Sequence, residues 1–363
     1  MKICLVGPRH EGGSIPPYLN TLYTLLPTLG CAVTWVGSNG LPYDPYRSRF
    51  WSSTAISQAA DDLAERVQET AAGADVISLH YGNLEIEQLL HTRFNRSELP
   101  PVVTHVHTLD PTLFATHAPN AELAAESQRG LASADAFVCF GSYAHTLMRA
   151  RHPAIPATVA FLPTTIAAGT QPEPWILPGP AHHPTASLYG YAADWKDLPL
   201  LVEACEHVAA GLKIVIAGPF WNEHLPAGHH RLGQVDLYLS TEYLSPKRRL
   251  ALIQATDFAV FPYRSHPSFQ GSGAIADYLH NGVPVLATTI ANFSEVIATA
   301  GITVPPSDPE RLAAALTHLA TDTSQREALR VAAQQRGAMF SATAHAQQCL
   351  NWYQAIHRCY LDT

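Results

Sequence analysis

Twelve short apolar runs alternate with amphipathic stretches along almost the whole of this chain, and that alternation leaves few folds open. The runs KICLVG, CAVTWVG, DVISLHY, PVVTHVH, AFVCFG and TVAFLP fall in the first half; ASLYGY, KIVIAG, DLYLS, FAVFPY, PVLATT and GITVPP fall in the second. Between them lie stretches such as AISQAADDLAERVQETAAG and LPLLVEACEHVAAG, whose apolar residues recur at helical spacing. Strand–helix repetition of this kind predicts parallel sheets covered by helices on both faces. Twelve strands are too many for one compact sheet, so the 363 residues are expected to divide in two. The break is expected around Pro163–Pro184, where Pro, Gly and Thr accumulate. The resulting expectation is two Rossmann-like domains over residues 1–166 and 184–340, followed by a long helix over 341–363. Their sheets are expected to face a shared cleft, because open sheets of this type bind ligands beyond the carboxyl ends of their strands.

Composition narrows the partners. Apolar residues make up 47% of the chain and charged residues 14%, so it is globular rather than disordered. The formal net charge of -8 divides as -4 for residues 1–165 and -4 for the remainder. Neither half is basic, which argues against a nucleic-acid partner and against adhesion to anionic lipid. No apolar run approaches the length of a membrane span, and MKICLVGPRHEGG lacks the long apolar core of a signal peptide. The six cysteines have no C-x-x-C pairing and mostly lie in apolar patterns, the expectation for buried free thiols of a cytoplasmic protein. The nineteen histidines show no metal-binding spacing. His229-His230 and His182-His183 read as exposed loop histidines.

The loops after strands carry the candidate chemistry. After the first strand, GPRHEGGSIPPY places His10 and the pair Gly12-Gly13 before a helix starting near Pro16. This is not G-x-G-x-x-G, so dinucleotide binding is disfavoured. The glycine pair is either a tight turn or a close approach to a ligand. His80-Tyr81 ends the third strand. THVHTLDP puts His107 and Asp110 just past the fourth, with His105 and His107 on one face by alternation. Ser142 reads as the cap of the following helix.

In the second half, YGYAADWKD holds Lys196, one of only four lysines, immediately before a helix. A lysine there can neutralise a diphosphate. Arg264 lies one strand-end further on, and Tyr243-Leu244 can cover a flat ring. Finally SFQGSGAIADYLHNGVPVLATT starts a helix with Gln270-Gly271-Ser272-Gly273 and carries Asp277 a turn later, on the same flank as Gly273. Uncovered N–H groups at such a start suit a phosphate; the acid suits a sugar diol. An ordinary helix capped by a serine and stopped by Asn281-Gly282 is the competing reading.

Taken together, these residues resemble the retaining GT-B glycosyltransferases of family 4 (glycosyl transferases group 1). The resemblance rests on Gly12-Gly13, His107, the Gly190…Lys196 loop, ATDFAVFPYR, GSGAIADYLHNGVPVLAT, FSEVI and the final helix, in that order. It implies a GT-B fold whose last helix crosses back to the N-terminal domain. The implied activity is metal-independent transfer of a sugar from a nucleotide diphospho-sugar, UDP- or GDP-linked, to a hydroxyl of a soluble acceptor. No cofactor beyond that co-substrate is implied. By the same resemblance, His107 and Lys196 are the catalytic candidates. Gly12, Gly13, Gly190, Tyr191, Tyr243, Leu244, Arg264, Phe269, Gln270, Gly271, Ser272, Gly273 and Asp277 would hold the donor; His10, His80, Tyr81 and Asp110 would hold the acceptor. The family's Glu-x7-Glu positions are here Phe269 and Asp277, and its Arg after the loop glycine is Tyr191. These departures leave two other readings: a silent sugar-nucleotide-binding subunit, or a GT-B sugar-nucleotide epimerase.

Overall fold

The computed structural model describes every residue except 10–12, 41–42, 45–48, 83–84, 110–120, 176–178, 180–181, 194, 220, 222–224 and 363. Two compact units emerge. One comprises Met1–Phe161, Pro267–Gln270 and Ala342–Thr363; the other comprises Leu162–His266 and Gly271–Ser341. The Pro-rich stretch expected to separate the domains belongs to the second unit. Its backbone is tied there by Thr164 N–H to the Phe340 carbonyl (2.8 Å) and Glu173 N–H to the Lys247 carbonyl (3.2 Å).

In the first unit the strands are β1 (Lys2–Val6), β2 (Ala32–Val36), a short antiparallel pair β3 (Tyr43–Asp44) and β4 (Arg49–Phe50), then β5 (Val76–Tyr81), β6 (Val102–Val106), β7 (Ala136–Cys139) and β8 (Ala157–Val159). Six of them form a parallel sheet in the order β2-β1-β5-β6-β7-β8. All residues of β5, β6 and β7 are buried, as continuous apolar runs of a parallel sheet require. The helix Ile15–Leu25 starts with prolines in its first turn, where a missing N–H costs nothing. The amphipathic stretch at 53–71 is the helix Ser53–Ala71, capped by Ser52. Gly141, not Ser142, holds the cap position of Ser142–Arg151; Ser142 is the first helical residue, because the left-handed φ of 119° at the preceding position belongs to glycine. The C-terminal helix Ala342–Leu361 buries His345, Ala346, Cys349, Leu350, Tyr353 and Ile356, and packs against Ile15–Leu25 of the same unit.

In the second unit β9 (Thr185–Tyr189), β10 (Leu212–Ala217), β11 (Gly228–Leu232), β12 (Val235–Ser240), β13 (Phe258–Phe261), β14 (Val285–Thr288) and β15 (Gly301–Val304) form one sheet in the order β11-β12-β10-β9-β13-β14-β15. Only β11 runs antiparallel. It is the strand that the apolar pattern did not reveal. His229 and His230, expected in a loop, lie on this edge strand, and His229 stacks on Tyr238 (4.6 Å) while bonding Asp236. All six cysteines are free; five are buried and Cys359 is exposed. Among the described residues no helix is long and apolar enough to cross a membrane.

Candidate functional site

β10, β9 and β13 are neighbours in the second sheet, so the loops after their carboxyl ends converge. Gly190 follows β9 with φ 118°. Its carbonyl accepts from the Trp221 indole N–H at 2.8 Å, which ties the loop after β10 to the loop after β9. The positive φ requires glycine here, and a Cβ at Gly190 would sit 2.9 Å from Lys196 Nζ. The Lys196 ammonium rests over two rings, 5.6 Å from the Trp221 centroid and 5.8 Å from the Tyr263 centroid. Among the described residues no carboxylate pairs with it. Burial lowers its pKa from the usual 10.5 to about 7, since a desolvated ammonium without an anion favours its neutral form.

Tyr263 links this lysine to the helix Gly273–His280. Burial raises the Tyr263 hydroxyl's pKa, and the neighbouring Ser272 side chain offsets part of that shift. Ser272 is the N-cap by position, yet its side chain makes no capping bond. The serine-capped helix of the competing reading is thus not what forms. The space where a Cβ at Gly273 would project is open. Asn281 and Gly282 (φ 74°) do end the helix. Arg264 is exposed, and its backbone N–H donates to the Trp195 carbonyl at 2.8 Å, fastening the strand end to the lysine loop. Tyr243 is exposed beside Tyr191, with ring centroids 5.8 Å apart. Leu244 is buried, so the ring surface of this corner is made by Tyr191 and Tyr243 instead. Gly271 is closed in by the Asn292 amide, 2.6 Å from where a Cβ would stand.

Asp277 does not present the free carboxylate that a ribose diol requires. It is 1% exposed. Oδ1 accepts from the Thr164 hydroxyl (2.6 Å) and Thr165 N–H (2.9 Å); Oδ2 accepts from the Tyr189 hydroxyl and from Arg249 Nη1 (3.3 Å). A carboxylate offers about four lone-pair positions, and all are taken. Asp277 is therefore a buried junction holding the proline-rich segment, β9 and the helix Pro246–Gln254 to the helix Gly273–His280.

In the first unit, His10, Gly12 and Asp110 lie outside the described residues. Gly13 adopts φ 85° just ahead of the helix Ile15–Leu25. His107 is partly exposed at the end of β6, with Nε2 3.2 Å from His80 Nδ1. Burial against the neighbouring rings lowers its pKa to about 3, which favours the neutral imidazole. His80 is fully buried with both nitrogens engaged, by Ser78 (2.7 Å) and His107. Tyr81 is 2% exposed, its ring edge-on to His91. Neither can meet an acceptor. Phe269 and Gln270 are buried in this unit, where the Gln270 amide donates to the Val106 carbonyl.

Trp221, Tyr263, Tyr189 and Arg249 were not among the expected site residues. Aromatic residues at strand ends read as core, and their convergence on Lys196 or Asp277 depends on sheet order.

Residues 185–322, within the second unit, match the family model of glycosyl transferases group 1. Over nearly the whole chain the architecture is that of solved GT-B structures. Sucrose-phosphate synthase from Thermosynechococcus elongatus matches with 16% identity and a TM-score of 0.75, covering 99% of each chain. HepE from Anabaena, in complex with UDP-glucose, matches with 16% identity and a TM-score of 0.68, covering 98% of this chain and 100% of its own. An E. coli structure described as trehalose-6-phosphate bound with UDP-2-fluoro glucose matches with 12% identity and a TM-score of 0.69, covering 97% and 99%. A comparison with curated protein sequences finds no match. At these identities the likeness establishes the GT-B fold of two Rossmann-like units.

Proposed function

We propose that the chain transfers a glycosyl group from a nucleoside diphosphate sugar to a hydroxyl of a soluble acceptor, with retention and without a metal ion. The observation that carries this reading is the desolvated ammonium of Lys196, which has no carboxylate partner among the described residues and rests over Tyr263, the neighbour of Ser272 at the start of Gly273–His280. When the bond between the anomeric carbon and the diphosphate breaks, negative charge grows on the departing phosphate oxygens. Lys196 and the N–H groups of the helix start are placed to meet it. Their orientation is set beforehand by Trp221, Tyr263 and Ser272, so little reorganisation accompanies bond cleavage. Tyr191 and Tyr243 offer ring faces for the nucleobase. The glycosyl transferases group 1 domain over 185–322 and the UDP-glucose complex of HepE support UDP-glucose as the first donor to try.

The test is a thermal-unfolding screen of UDP-, GDP-, ADP- and TDP-sugars on the parent and on Lys196→Ala, followed by turnover of whichever sugar stabilises. Removing one such donor to a developing charge typically costs about 10²–10³ in rate. Less than a fivefold loss of kcat/KM in Lys196→Ala removes this lysine from the site. Binding without turnover of any donor would make the protein a sugar-nucleotide-binding subunit.

A further inference from the structure

The helix Gly273–His280 carries a single acid, Asp277, and the chain itself occupies it. Oδ1 is taken by the Thr164 hydroxyl (2.6 Å) and Thr165 N–H (2.9 Å), Oδ2 by the Tyr189 hydroxyl and Arg249 Nη1, the last at 3.3 Å. Burial raises the pKa of the Tyr189 phenol well above its ordinary value, so this hydroxyl stays a donor. Arg249 is the charged member of the set. It stands in the first turn of the helix Pro246–Gln254, which follows closely on the Tyr243-Leu244 corner. Its Nη1 also donates to Thr165 Oγ1 (3.0 Å), and its Cζ lies 5.8 Å from the centre of the Tyr189 ring. Side-chain exposure is 12% for Arg249 and 2% for Asp277.

This arrangement resists a ligand. A carboxylate has about four lone-pair positions, so a hydroxyl that bonds Asp277 has to replace one of the four donors. The donor pushed aside is then buried without an acceptor, and if it is Arg249 a buried cation loses its counterion. One hydrogen bond is exchanged for another while a desolvated group is left unpaired, and the exchange is unfavourable. Glu242, next to Tyr243 in the chain, is exposed and paired with Arg248 at 2.8 Å. A hydroxyl gains little from such a solvated acid over the water it displaces.

We propose that Arg249 sets the nucleotide specificity of the donor site: by holding Asp277 in an internal pair it withdraws the carboxylate that would read a ribose diol, and the site accepts ribo- and 2′-deoxyribonucleoside diphosphates alike. The placing of a nucleotide at this helix rests on the function proposed above. Arg249 is a positioning residue, acting through Asp277. The donor class then extends to sugars carried on a deoxyribonucleotide such as TDP, and recognition of the nucleoside falls to its base, at the Tyr191 and Tyr243 rings. In Arg249→Leu the guanidinium no longer covers Oδ2, so one lone pair of Asp277 becomes open to a ligand hydroxyl. A hydroxyl bonded to a carboxylate favours the ribonucleotide by about ten- to hundredfold.

Calorimetric titration with UDP and with 2′-deoxyuridine diphosphate isolates the contribution of the sugar, since the two ligands differ only in the 2′-hydroxyl. The parent is expected to bind them with dissociation constants within about fivefold of each other. Arg249→Leu, with the circular dichroism of the parent, is expected to bind UDP about ten- to hundredfold more tightly than the deoxy analogue. Arg249→Lys keeps a cation for Asp277 and is expected to stay unselective. A preference for UDP of more than about fivefold in the parent overturns the inference. A folded Arg249→Leu that remains unselective overturns it too, because Arg249 is then not what silences Asp277. Should Arg249→Leu unfold, the parent's ratio decides. If neither nucleotide binds the parent, the proposed function fails and the inference with it, whereas binding with a ribose preference overturns the inference alone.

Discussion

Binding of a nucleoside diphosphate near pH 8 is expected to take up a proton from solvent, and the size of that uptake follows from the surroundings of Lys196. Burial over Trp221 and Tyr263 brings its pKa down from 10.5 to about 7. Between those two values the unfolded chain binds the proton and the folded chain does not. Stability of the free protein therefore rises with pH across that window, and the unfavourable contribution of the buried charge is fully present below pH 7. A diphosphate against Nζ reverses the preference, because an adjacent anion favours the ammonium. At about pH 8 the free lysine is roughly nine-tenths neutral, so binding takes up about 0.9 proton per diphosphate. Calorimetry of UDP binding in two buffers of different ionisation enthalpy measures that number directly. Over roughly pH 8–10 the affinity should also weaken about tenfold per pH unit, levelling off below pH 7. Lys196→Met should abolish the uptake and most of the binding, yet raise the melting temperature of the free protein near pH 6.5. Tight UDP binding with no proton uptake at pH 8 would refute the argument, and so would an affinity independent of pH across the window.

Three further outcomes are expected. Transfer should survive excess EDTA, because Lys196 and a helix start meet the leaving-group charge; inactivation reversed by added Mg²⁺ or Mn²⁺ would contradict it. Gly273→Val fills open space at the helix start, so melting should change little while calorimetry shows UDP affinity at least about tenfold weaker; unchanged affinity would reduce this segment to an ordinary helix end. Asp277→Asn puts an amide among four donors in a buried site, and urea unfolding should show a loss of about 2–4 kcal/mol; parent-like stability would disprove its role as a junction.

The strands of both sheets were legible because parallel, doubly covered strands are written as short continuous apolar runs. β11 was not, since GHHRL sits on an edge with its side chains mostly outward and carries no apolar run to betray it. Lys196 stood out by its rarity and its place before a helix. Nothing local could show that Trp221 and Tyr263 flank it, because that follows from β10, β9 and β13 lying side by side. The flank of Asp277 was readable from helical spacing, but spacing does not say what a face meets, and here it meets Tyr189, Arg249 and a threonine pair. Alternation placed His105 with His107, while the register that pairs His80 with His105 and the arrival of Tyr353 and His345 from the far end of the chain are tertiary facts.

The same contrast separates the two sets of buried titratable groups by role. Burial favours the neutral form of the imidazoles of the first unit, which are hydrogen-bonded to one another or to buried hydroxyls. Lys196 is desolvated without an anionic partner among the described residues, and the binding energy for its charge is still unclaimed. An unpaired ammonium over two rings is a poor structural element and a good receptor, because the unfavourable state disappears only when an anion arrives. That asymmetry, rather than any single motif, is why the proposed diphosphate site is placed in the second unit.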